Sequence, residues 1–176
     1  GVLIKDVYPG GPLGKAGVKS GEVVPSVDGA AVDDMQSLNY RTATHRPGDS
    51  VRMHVASGKS GRDVTVTLAL PPENPPKEVI TISGRNPLLG ARVENLSPAA
   101  ATELQMDVMA HGVVIIAVAP GGLAANYGFQ PGDIIRSING ANINRTGELV
   151  RALNGVNQWN MISERGGRKL TLSVEG

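Results

Sequence analysis

GVLIKDVYPGGPLGKAGVKSGEVVPSVDGAAV (residues 1–32) and GVVIIAVAPGGLAANYGFQPGDIIRSINGANI (residues 112–143) are two versions of one segment. The match runs without a gap from Gly1–Leu38 onto Gly112–Leu149, each residue lying over the one 111 places on. In both copies an apolar run enters Pro-Gly-Gly. Small residues, a glycine, Gly-acid-apolar-apolar and an acid/amide-Gly turn follow, and then a helical stretch. A repeat of this length predicts two small homologous domains rather than one large one.

Working outward, Val2–Val7 and Glu22–Val27 read as strands in the first module, with a helical turn at Leu13–Ala16 and a tight turn at Asp28-Gly29. Asp33 or Asp34 can cap a helix over Met35–Thr44. Val51–Ala56 and Val64–Leu70 flank Gly58–Gly61 as a hairpin. In the second module the expected strands are Val79–Ile82, Val93–Leu96, Val113–Val118 and Asp133–Ile138, with helices Ala99–Leu104, capped by Ser97, and Thr146–Leu153. A closing hairpin, Trp159–Glu164 with Lys169–Val174, turns at Gly166-Gly167. The prolines at 71, 72, 75 and 76 predict a stiff linker, giving a first domain at 1–70, a linker at 71–78 and a second domain at 79–176. The fold class is mixed α/β, mainly β. Each module is expected as a small, partly open barrel or sandwich of five or six strands and two helices.

Seventeen basic and sixteen acidic residues leave a net charge of +1, no footprint for nucleic acid. There is no cysteine, hence no disulfide and no thiolate chemistry. No apolar run reaches the roughly 18–20 residues of a spanning helix. The chain starts inside a strand-like run, Val2-Leu3-Ile4, without Met or leader, so it reads as a piece of a longer, processed protein. On that reading the first module lacks its opening strand and loop.

Both copies resemble PDZ domains, and their tandem arrangement resembles the C-terminal half of the HtrA/Deg family of envelope serine proteases, DegP and DegQ among them. The resemblance is carried by G-apolar-apolar-apolar, P-G-G, A-G or Y-G, G-(D/E)-x-apolar and (D/N)-G-A in each copy, and by Trp159–Val174 at the end. Departures are Leu13-Gly14, Glu22 for Asp and Pro25 in the first copy, and Leu123 and Tyr127 in the second. The resemblance implies a non-catalytic peptide-binding region, with partners in exposed C-termini or unfolded segments of substrate proteins. It further implies an N-terminal protease domain, a possible homo-oligomer, and the periplasm or envelope of a Gram-negative bacterium.

A PDZ-like module binds by letting a peptide add a strand to an open sheet edge beside a helix. In the second module the carboxylate-binding loop is expected at Leu88, Leu89, Gly90 and Ala91, with Arg92, Val93 and on to Leu96 as the open edge. A loop with glycine can present converging N–H groups to a terminal carboxylate. Leu89, Ala91 and Val93 would line the pocket for the last side chain, and Thr146, Leu149, Val150 and Leu153 the opposite wall; Leu149 and Leu153 read equally as core. The first module keeps a groove helix with Met35, Leu38 and Thr42, though without a loop its groove is expected to be defective. Micromolar binding of apolar-ended tails (Val, Leu or Phe) is expected. The alternative is an assembly module that binds no free peptide.

No catalytic, metal or cofactor pattern is found. His45, His54 and His111 lack partners at ligand spacing, and no G-x-S-x-G surrounds a serine. Pro120-Gly121-Gly122 and Gly166-Gly167 read as turns, Asp133 as an acceptor of backbone hydrogen bonds, and Arg165, Arg168 and Lys169 as a solvated face.

Overall fold

The computed structural model describes residues Gly1–Gly176 as two compact units, Gly1–Pro72 and Glu73–Gly176. In the first, β1 (Val2–Leu3), β2 (Val23–Val27), β3 (Ala30–Ala31), β4 (Ser50–Ser57) and β5 (Ser60–Thr67) form one antiparallel sheet of order β1-β2-β4-β5, with β3 also on β2. Helix α1 (Pro12–Lys15) is the single turn after Pro-Gly-Gly. Helix α2 (Met35–Ala43) is capped by Asp34, which accepts from the Ser37 N–H at 2.7 Å. The core is aliphatic: Val2, Ile4, Val18, Val24, Val27, Val32, Leu38, Val51, Met53, Val55 and Val66.

The second unit repeats this plan with additions ahead of it. Strands β6 (Ile80–Thr81) and β7 (Ala91–Asn95) and helix α3 (Pro98–Glu103) precede β8 (Val113–Val118). Then come α4 (Leu123–Asn126), β9 (Ile134–Ile138), β10 (Ala141–Asn142), α5 (Thr146–Leu153), β11 (Gln158–Arg165) and β12 (Arg168–Glu175). The sheet runs β12-β11-β9-β8-β7-β6, with β10 on β9.

Two expectations need correction. Neither sheet is a barrel: the terminal strands β1 and β5, or β6 and β12, do not pair with each other. Closure is not needed, because α5 brings Leu149 and Leu153 into the core beside Ile138, Trp159 and Met161. The second unit also has seven strands and three helices, more than the five or six strands and two helices expected. The surplus lies in two-residue strands and one-turn helices too short to announce themselves by periodicity.

Arg165 is not part of a solvated face. Its guanidinium grips the fully buried Asp133 (Nε to Oδ1 2.7 Å, Nη2 to Oδ2 2.8 Å) and donates to the Gly128 carbonyl at 2.8 Å. As expected, Asp133 also accepts a backbone bond, from the Gln130 N–H at 2.9 Å. The first unit builds the same clamp: Arg62 holds Glu22 at 2.6 and 3.0 Å and donates to the Gly17 carbonyl, while the Lys19 N–H caps Glu22. Each clamp ties the last hairpin to the loop entering the second strand of the repeat.

The clamp carries a pH signature. The Arg62 guanidinium, helped by the Lys19 N–H, holds the Glu22 carboxyl far below the usual carboxylate range, at about 2. The Ser37 N–H lowers Asp34 in the same sense. A depressed carboxyl adds stability above its unfolded value, roughly 4.3 for Glu, and that stability drains away as pH falls through the folded value. The first unit should therefore weaken progressively from about pH 4.5 towards pH 2. Denaturant midpoints followed by circular dichroism check this, and Arg62→Met should flatten the acid limb.

Candidate functional site

The cleft of the second unit lies between β7 and α5. The positioning begins with Asn95, a fully buried residue at the end of β7. Helix α5 has no side-chain cap of its own at Arg145. Asn95 supplies one from across the cleft, its Oδ1 accepting from the Thr146 N–H at 2.9 Å. One of the orphan donors of the helix start is satisfied in this way, and α5 is fixed against the strand. At the other end, Gly90 adopts φ +91°, where a Cβ would also press on the Ala119 side chain at 3.2 Å. That bend, followed by Ala91, turns the chain into β7.

The predicted residues are distributed as follows. Leu88, Ala91, Val93, Leu149 and Leu153 are buried in one aliphatic cluster, and Val150 packs against it. Thr146 is fully buried at the start of α5. Leu89 points outward, 39% exposed, and Arg92 is exposed, so of the two leucines only Leu88 joins the buried cluster. In the first unit Leu38 is core, Met35 is exposed and the Thr42 hydroxyl donates to the Leu38 carbonyl. The core reading of Leu149 and Leu38 is therefore the structural one.

The edge of β7 is not open, contrary to expectation. Residues 77–82 lie along it, antiparallel. Ile80 pairs with Val93 and Thr81 with Arg92. The Asn95 N–H donates to the Lys77 carbonyl at 2.7 Å, and the Ile82 N–H to the Ala91 carbonyl at 2.8 Å. The Gly90 N–H donates to the Ile82 carbonyl at 3.2 Å. The Thr146 hydroxyl donates to the Glu78 carbonyl at 3.1 Å, and Asn95 Nδ2 to the Pro76 carbonyl at 3.0 Å. Ile82 is buried among Leu88, Ala91 and the α5 leucines, and Ile80 and Val150 both pack against the same cluster. Lys77 and Glu78, which the sequence places in the linker, are thus part of this strap. An edge strand left bare is a liability, and an adjacent apolar segment is the nearest cover.

The loop donors are also engaged. Asn86, buried, accepts from the Leu88 N–H through its side chain at 3.0 Å and from the Leu89 N–H through its carbonyl at 3.2 Å. The Ala91 N–H donates to the Leu88 carbonyl at 2.9 Å. Gly90 alone of these four spends its N–H on the strap. Ile80, Ile82 and Asn86 have no role in the site expected from sequence, and Asn95 enters it only as backbone of the edge strand. The usable signal for them is the Ile-x-Ile alternation just ahead of the loop. On β7 itself, the Glu94 carboxyl is buried and pushed up by desolvation, with Lys77 pulling it back. Elsewhere, His45 and His54 each face a single aspartate, Asp28 at 3.4 Å and Asp63 at 2.9 Å.

A strand added antiparallel to a sheet edge beside a helix, with its end held by a glycine bend, is the geometry by which PDZ domains take peptides. The PDZ domain family model matches residues 1–68, and a second PDZ domain model matches residues 114–158. The chain carries two PDZ-like domains. Its two domains are homologous to the tandem PDZ domains of HtrA/DegP-type periplasmic serine endoproteases. Among relatives, DegP-like periplasmic serine endoproteases of Chlamydia pneumoniae and Brucella suis are 30% and 28% identical over 92% and 98% of this chain. That of Halomonas elongata is 35% identical over 78%. The chain spans about a third of the length of these relatives (32%, 31% and 28%). Among solved structures, the HtrA3 PDZ domain bound to a phage-derived ligand (FGRWV) is 26% identical, covers 49% of this chain and 81% of its own, and has a TM-score of 0.43. The HtrA-type protease AlgW with a decapeptide is 20% identical, covers 70% and 40%, and has a TM-score of 0.45.

Proposed function

We propose that this chain is the substrate-capturing region of an HtrA/DegP-type serine endoprotease of the periplasm or envelope of a Gram-negative bacterium. It takes C-terminal or unfolded segments of client proteins by strand addition between β7 and α5. The groove residues are Leu88, Gly90, Ala91, Val93, Thr146, Val150 and Leu153, with Leu149 in the core behind them. Capture beside a protease domain raises the local substrate concentration, and two grooves on one chain add avidity where the linker permits. One observation carries this reading: the cleft already holds an extended apolar chain, antiparallel to β7, with an isoleucine in the pocket and its carbonyl on the Gly90 N–H.

The test is titration of the full chain with an apolar-ended hexapeptide, free acid against C-terminal amide, by fluorescence anisotropy. The acid should bind about tenfold more tightly, the worth of one charged hydrogen bond at Gly90. No binding of either form at millimolar peptide, even with Ile80 replaced by aspartate to loosen the strap, would end the reading.

A further inference from the structure

We infer that residues 77–82 are an internal ligand of the second groove, and that a client segment enters only by displacing them. The inference rests on the peptide-binding reading of this cleft and adds its regulation and ligand class. Three observations carry it. The strap's regular ladder with β7 is only two residues long, Ile80–Thr81, and β7 already has a full partner in β8 on its other edge. Its contacts reproduce those of an added peptide in direction and in spacing. Alternate residues Ile80 and Ile82 face the cleft, Thr81 faces solvent, and the last carbonyl meets the glycine bend. Between the strap and α5 there remains a crevice of about 150 Å³, lined by Ile80, Ile82, Gly84, Val150, Leu153 and Asn154, so the strap does not fill the space up to the helix.

The strap therefore reports what the groove selects: an extended segment with aliphatic residues at alternate positions, the last of them at the loop. It also sets the cost of entry. A segment tethered next to its own site competes at an effective concentration of about 1 mM, against an intrinsic affinity of about 10–100 μM. The apparent affinity of an incoming peptide is reduced by the fraction of grooves left free, about 10–100-fold. Upstream, the strap continues into the proline-rich stretch at 71–76. Downstream, the turn at Ser83–Asn86, where the Asn86 amide donates to the Ser83 carbonyl, holds its other end near the site.

The probe is the chain's own strap sequence, a fluorescein-labelled hexapeptide Lys-Glu-Val-Ile-Thr-Ile with a free carboxylate, titrated onto the full 176-residue chain. Ile80→Asp, at a half-buried position of the strap, should tighten binding about 10–100-fold over the unaltered chain. The double variant T81C/R92C alters a registered pair across β6 and β7 in a chain with no other cysteine, so oxidation locks the strap and reduction frees it. The oxidised form should bind at least about tenfold more weakly than the reduced form. Equal affinity of the unaltered chain, Ile80→Asp and both redox forms would overturn the internal ligand and leave peptide capture standing. Absence of binding by every variant, each with a native-like NMR spectrum, would overturn peptide capture itself. If Ile80→Asp fails to fold, the redox pair decides alone.

Discussion

Replacing Leu149 with alanine is expected to cost the second unit about 2–5 kcal/mol and to leave the unfolding of the first unit unchanged. Leu149 is fully buried on α5, within the cluster formed by Ile82, Leu88, Ile138, Leu153, Trp159 and Met161. Truncation removes the transfer energy of the side chain and leaves a cavity that a β-sheet on one side and a capped helix on the other cannot collapse into. The first unit has a separate core, and its repeat-mate residue there, Leu38, is buried among Val24, Val32 and Val51. For domains of this size each kcal/mol moves the melting midpoint by about 4–8 °C, so calorimetry should show one transition drop well clear of the other. Leu38→Ala should do the converse. A single transition that moves as a whole in both variants would show that the units do not unfold independently.

The repeat makes much of this legible. Once two copies align without a gap, the glycine turns and apolar runs of residues 1–38 and 112–149 are read twice, and the helices at Met35 and Thr146 fall where the pattern puts them, with each hairpin after its helix. The parts that escape are those set by pairing across the chain. The strand at Ile80 is visible as a strand, but a short apolar run names no partner, and the edge of β7 therefore reads as vacant. The clamps escape for a related reason. Arg62 lies 40 residues after Glu22, while Arg165 lies only 32 after Asp133, so the ungapped alignment that exposes the repeat cannot pair the two arginines.

Asn95 is where stability and occupancy of the groove should separate. Asn95→Ala removes the acceptor for the Thr146 N–H, in a helix that has no cap of its own, and strands a buried donor. That loss is expected to cost the second unit about 1–3 kcal/mol. The same substitution deletes the Nδ2 bonds to the Pro76 carbonyl and to Glu78 Oε2, which moor the upstream half of the strap. Stability should therefore fall while the apparent affinity for the strap hexapeptide rises. Those are opposite signs, which damage to a binding residue would not produce. Asn95→Asp sharpens the distinction. A carboxylate still accepts from Thr146 at the positive end of α5, where negative charge is favoured. It cannot donate to the Pro76 carbonyl, and it repels Glu78. Asp should thus hold the helix and loosen the strap, recovering most of the stability lost by Ala while keeping the gain in affinity. If affinity instead falls in step with stability in both variants, Asn95 serves the incoming peptide and does not restrain the segment that precedes it.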